Sequence, residues 1–219
     1  MRLVGDLRKL RDTALFRVSR LRSVARRSVA PAPASRNQDL QVAYCVIELY
    51  TLWHSFSRFL FLSSALGARD GGGVRVTTTV PPPATVDAAL THAIRLRSPS
   101  KKKKKPPWRW ADEPPWAQPN VLLDSLAAVG ASNRPQVSAG LSAPSTVFSG
   151  IVPCRNFFAH RGRDTLALFT PIMRNHLISS ALRPTDALLS KAIVLGTPRP
   201  QPLLLDWIDE VANAIELMI

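Results

Sequence analysis

The sequence predicts an all-α fold, a bundle of four or more helices with long irregular loops and a basic N-terminal extension. Three observations carry this. Apolar residues recur at three- and four-residue spacing in separate segments. Glycine- and proline-rich stretches fall between those segments. One segment, 42–67, is long and apolar, but Glu48, His54 and Arg58 interrupt it and would be costly in lipid, so a buried helix of a bundle is a better reading than a membrane span.

In chain order, Leu3, Leu7, Leu10, Ala14, Val18, Leu21 and Ala25 mark one face of a basic amphipathic helix over 2–29. "APAPAS" (30–35) breaks it as a short hinge. A long helix then runs from about Asn37 to Leu66, with Gly67 as its C-cap. Residues 67–84 read as loop, with a short extended piece at Val74–Val80. Thr85 caps a helix to about Leu96. Residues 98–119 are too rich in proline and charge for a regular element. Helical patterning returns at 120–131 and, more briefly, at 134–142. Pro153 reads as a break or a fresh first helical position. The 165–179 segment is ambiguous between helix and strand, with Pro171 against both. Two further helices fit Thr185–Val194 and Leu203–Ile219, the last with a Leu204, Ile208, Val211, Ile215 stripe. The expected organisation is a basic extension over 1–36 and a helical domain over 37–219.

Charge is unevenly placed. The net charge is +14, of which residues 1–36 carry +8 and the run Lys101–Lys105 carries +5, so the remainder is close to neutral. This is a near-neutral domain with two basic appendages, and an anionic partner is the natural ligand of such appendages. The two cysteines, Cys45 and Cys154, lie in apolar stretches and point to buried thiols in a reducing compartment. No His/Cys cluster has metal-ligand spacing, so neither a metal nor another cofactor is expected. The arginine-rich start has no continuous apolar core and is a poor secretory signal. A cytoplasmic protein without a membrane span is the reading that follows.

The stretch "PCRNFFAHRG" (153–162) carries the candidate chemistry. Read as a helix from Pro153 to Gly162, it puts Arg155 in the first turn and His160 in the last, about 7.5 Å apart along the axis and about 140° around it. Asn156 and His160, four apart, share a face. A histidine in a last turn sits at the negative end of the helix dipole and suits proton exchange near neutral pH. Arginine keeps its charge and grips phosphate with a fork of N–H groups. Together the pair suits metal-free cleavage of a phosphodiester. An Arg and a His on one helix are also a common structural accident, a last-turn His often being a simple cap.

"RNFFAH" resembles the Arg-x4-6-His motif of the HEPN (higher eukaryotes and prokaryotes nucleotide-binding) superfamily, with Arg155, Asn156 and His160 at its three positions. The segments 48–69, 113–133 and 183–215 are similar to prokaryotic stand-alone members, so the resemblance covers roughly 37–219. It implies a HEPN-like bundle and a metal-independent endoribonuclease, a toxin of a toxin–antitoxin or phage-defence system. It further implies a homodimer whose two motifs form one composite active site, which removes the 140° difficulty. A nucleotidyltransferase-type antitoxin is an implied partner. The Tyr that such an enzyme modifies, two residues after the His in some members, is Gly162 here, against that form of neutralisation.

Other residues have two readings each. Glu48 either supports the cleft by orienting the His or is an ordinary core or interface ion. The "KKKKKPPWRW" run offers Lys101, Lys102, Lys103, Lys104, Lys105 and Arg109 to phosphates and Trp108 or Trp110 to a base, or is a solvated loop whose tryptophans pack back on the bundle. His54, His92 and His176 read as surface or packing groups. Residues 1–36 suit RNA, a protein partner or a membrane surface. The rival to an enzyme is a non-catalytic helical RNA-binding or regulatory subunit of a larger defence complex.

Overall fold

The computed structural model describes residues 1–29, 36–79, 83–97, 105–143, 145–194 and 196–219. The described residues are mostly helical, and the only sheet among them has two strands. In order the elements are α1 (Leu7–Ser28), α2 (Arg36–Ala65), α3 (Val86–Arg97), α4 (Pro119–Val129), α5 (Arg134–Leu141), α6 (Val147–His160), α7 (Arg163–Asn175), α8 (Pro184–Leu189), β1 (Lys191–Val194), β2 (Thr197–Pro202) and α9 (Leu203–Met218). The all-α class is as the periodicity predicts. The "APAPAS" hinge lies outside the described residues.

The chain forms two compact units. One comprises Met1–Leu15, Trp53–Ala143 and Asn213–Ile219; the other comprises Phe16–Leu52 and Pro144–Ala212. The N-terminal segment contributes to both because its apolar stripe is buried: Leu7, Leu10, Ala14, Val18, Leu21 and Ala25 are all at most 2% exposed. Asp6 starts α1 by accepting the Arg8 N–H at 2.9 Å, which satisfies one orphan donor of the first turn. The same Arg8 side chain holds the Asp6 carboxyl down to about 2.

In the first unit, the C-terminal half of α2 is buried nearly all round, which its composition requires. Trp53 donates its indole N–H to the Ala117 carbonyl at 3.0 Å, and Phe61 stacks on Trp116 with ring centres 5.2 Å apart. Gly67 closes α2 with φ +78°, a left-handed position where a side chain is strained, as expected of that glycine. Thr85 accepts the Ala88 N–H at 3.2 Å and caps α3 as expected. No strand forms at 74–79; Arg75 makes one isolated bridge to Arg69, and 80 lies outside the described residues.

In the second unit, three expectations are corrected. The helix carrying the Arg–Asn–His set opens at Val147, not Pro153, so Arg155 stands in its middle and only His160 in its last turn. The reason is a cap from another helix. Glu210 of α9 accepts the backbone N–H groups of Thr146 (2.8 Å) and Val147 (2.9 Å) and the Ser145 hydroxyl (3.0 Å). Proline in the interior forfeits one hydrogen bond, here to the carbonyl of Ser149, an exposed residue that water reaches. Gly162 is not the stop. Arg161 takes the left-handed position (φ 48°), and Gly162 is the extended residue that begins α7, the helix that resolves the ambiguity at 165–179. Finally, the helix expected over Thr185–Val194 ends at Leu189. Ser190 is extended, and β1 pairs antiparallel with β2, Lys191 opposite Pro202 and Ile193 opposite Pro198, through a turn holding Gly196 at φ +77°.

Candidate functional site

The Arg–Asn–His set lies wholly in the second unit. Gly150, Ile151, Cys154 and Phe158 form the buried face of α6. Phe157 meets Phe158 edge-on at 5.2 Å and stacks on Phe169 of α7 at 5.8 Å, which fixes the end of α6 that carries His160. The other end is tied to α9. Trp207 donates to the Thr146 hydroxyl at 3.0 Å, and its ring covers Gly150 so closely that a Cβ there would stand 2.5 Å from the indole Cζ2.

On this clamped helix Arg155 is half-buried. Its guanidinium lies 5.4 Å from the centre of the Tyr50 ring, and its Nη1 donates to Asn156 Oδ1 at 3.1 Å. A cation over an aromatic face is held by the ring's quadrupole. Arg155 is thus oriented by one aromatic group and one amide, and its remaining N–H groups make no hydrogen bond among the described residues. His160 is exposed, with no hydrogen-bond or ionic partner among the described residues. The helix brings Asn156 to Arg155 but does not bring Arg155 to His160, which stay about 140° apart around the axis. Tyr50 is the residue that sequence reading missed. It is 105 positions from Arg155 in the chain and carries no local signal.

Glu48 joins neither Arg155 nor His160: it is ion-paired to Arg17 of α1, each half-buried. Of the loop residues, Lys101–Lys104 lie outside the described residues, and Lys105 and Arg109 are exposed. Trp108 donates its indole N–H to the Thr91 hydroxyl at 2.9 Å, so its polar edge is tied to α3. Trp110 is 61% exposed and its ring lies 4.9 Å from His54, with the Arg58 guanidinium 5.4 Å from its centre. His54 and His176 are packing groups, as read, both buried. Cys45 and Cys154 are free and buried. Burial pushes the Cys45 thiol up to about 12 and the Cys154 thiol well above its ordinary value, so neither serves as a thiolate nucleophile.

Burial holds both His54 and His176 below the ordinary imidazole value of 6.5. Neither takes up a proton in the fold as readily as in the unfolded chain, so acid favours unfolding. Stability is therefore expected to fall as pH drops through about 6.5. Asp206, raised by its own burial, acts with the opposite sign. Urea midpoints measured from about pH 7 to about pH 5 check this; His176→Gln is expected to flatten the dependence, and an unchanged slope refutes the assignment.

What the fold and site define is a mostly helical protein of two units, with an aromatic-braced arginine and an exposed histidine on one clamped helix. Comparison with known protein families, with characterised proteins and with solved structures finds no match to this chain. No described helix is long and apolar enough to cross a membrane, and the described residues hold no group of three or more His, Cys, Asp or Glu side chains that could bind a metal ion.

Proposed function

We propose that this protein is an endoribonuclease that acts on RNA through Arg155, Asn156 and His160, with two copies of α6 forming one site. The observation that carries this is the state of Arg155, half-buried and held by Tyr50 and Asn156 with N–H groups to spare, on the same helix as an exposed imidazole. Arg155 neutralises the non-bridging oxygens of the scissile phosphate, and Asn156 keeps it aimed. His160 takes the proton of the ribose 2′-OH as that oxygen attacks phosphorus. The bond to the 5′ oxygen then breaks, and the second copy of α6 returns a proton to it. The products are a 2′,3′-cyclic phosphate and a 5′-hydroxyl. The toxin or phage-defence role and the antitoxin partner rest on the HEPN resemblance, and the cytoplasmic setting on the two free, buried thiols.

RNA cleavage in EDTA tests the reading. His160→Ala and Arg155→Ala are each expected to lower the rate by at least about 10²-fold. If His160→Ala cleaves as fast as the wild type, the reading fails. A second reading, a non-catalytic RNA-binding protein, is favoured by the distance between Arg155 and His160 on one chain. It predicts salt-sensitive RNA affinity with no cleavage and no loss on His160→Ala.

A further inference from the structure

A second charged feature of the same unit is left over once α6 is accounted for. Arg17, Arg20, Ser23 and Arg27 of α1 face Tyr44 and Glu48 of α2 across a groove of about 320 Å³. The spacing explains how one helix lines it. Arg20 and Arg27 are seven residues apart, which returns the helix to the same face about 10.5 Å further along. Tyr44 and Glu48 are one turn apart and share a face of α2.

The charges are not equivalent. Arg17 is committed to Glu48. Arg20 and Arg27 are exposed and make no ion pair among the described residues, so the groove presents two uncompensated guanidinium groups. Tyr44, 54% exposed, puts an aromatic face beside them. Basic side chains along a groove with an aromatic platform are the two elements that bind single-stranded nucleic acid without sequence preference.

A membrane surface is the rival ligand for a basic amphipathic helix, and burial decides against it. Such a helix binds lipid by inserting its apolar face. Here Val18, Leu21 and Ala25, the apolar face of this part of α1, are at most 2% exposed. The exposed face of this part of α1 is cationic and polar but for Phe16, 65% exposed, a single apolar side chain where lipid insertion needs a whole face.

We infer that the α1–α2 groove binds the phosphodiester backbone of single-stranded RNA, with Arg20 and Arg27 on phosphates and Tyr44 stacked on a base. The inference rests on the RNA reading above for its ligand and on the groove alone for its geometry.

Binding of labelled oligouridine, with cleavage scored separately, tests it. Arg20→Gln/Arg27→Gln is expected to weaken binding on the order of tenfold and to make the slope of log K against log[salt] shallower by about 1.4, the value for two phosphate contacts on a single strand. Tyr44→Ala is expected to cost about fivefold or more with the salt slope unchanged. All three residues are exposed, and thermal unfolding at the wild-type temperature verifies the fold. Oligouridine affinity unchanged in the double variant overturns the inference. So does binding to phosphatidylserine vesicles with none to oligouridine. The two readings fail separately: bound but uncleaved RNA with groove-dependent affinity sinks the nuclease and keeps the groove, whereas His160-dependent cleavage with groove-independent affinity does the reverse.

Discussion

Glu113→Ala is expected to lower the unfolding free energy by about 3–5 kcal/mol, the cost of stranding one partner of a buried ion pair. Glu113 and Arg58 meet in a fork, Nε to Oε2 at 2.5 Å and Nη2 to Oε1 at 2.7 Å. Their side chains are 5% and 15% exposed, so solvent screens them little. Removing the carboxylate leaves the guanidinium in a site built from the rings of Phe59 and Trp110, which attract a cation but accept no strong hydrogen bond. It also takes the acceptor from the Trp116 indole, which donates to Glu113 Oε2 at 3.0 Å. Urea unfolding measures the loss. Replacing both partners, Arg58→Met with Glu113→Leu, is expected to cost far less, since no charge is then left unpaired. A loss below about 1 kcal/mol for Glu113→Ala, the scale of an exposed pair, would show that the pair is solvated in practice.

Gly150→Ala is expected to destabilise by about 1–3 kcal/mol, although alanine is the better helix former by about 1 kcal/mol. The added methyl would stand 2.5 Å from Trp207 Cζ2 and 2.6 Å from Cη2. The ring has nowhere to go. It is fully buried, and its N–H is fastened to Thr146. Relief therefore has to come from α6 moving away from α9, which would also pull the helix N-terminus from its Glu210 cap. If the proposed nuclease reading holds, RNA cleavage is expected to drop in this variant even at temperatures where it remains folded, because Arg155 and His160 ride on the displaced helix. Trp207→Phe in the same chain is expected to restore part of the stability by opening space. A Gly150→Ala protein more stable than the wild type would refute the packing argument.

The helices legible in the sequence are those whose signal is internal to the segment. The Leu7 to Ala25 stripe, Thr85 before α3 and Gly67 after α2 each depend on residues within a turn or two of one another. The start of α6 was not legible, because its cap is a carboxylate 64 residues away in the chain. Pro153 therefore looked like a beginning when it is an interior residue. The β1–β2 hairpin was hidden for a related reason. Pro198, Pro200 and Pro202 argue against a strand, and only pairing with β1 makes one.

The candidate site divides in the same way. That Arg155, Asn156 and His160 share a helix, and that Arg155 and His160 lie on different sides of it, follows from their spacing and the geometry of the α-helix alone. Which charges find partners does not. Glu48 with Arg17, Arg58 with Glu113, Glu210 on the first turn of α6 and Arg155 against Tyr50 all join positions far apart in the chain. An isolated stretch of sequence sets where a charge sits on its helix. Only the packing of other helices against it decides whether that charge is neutralised, braced or left open to a ligand.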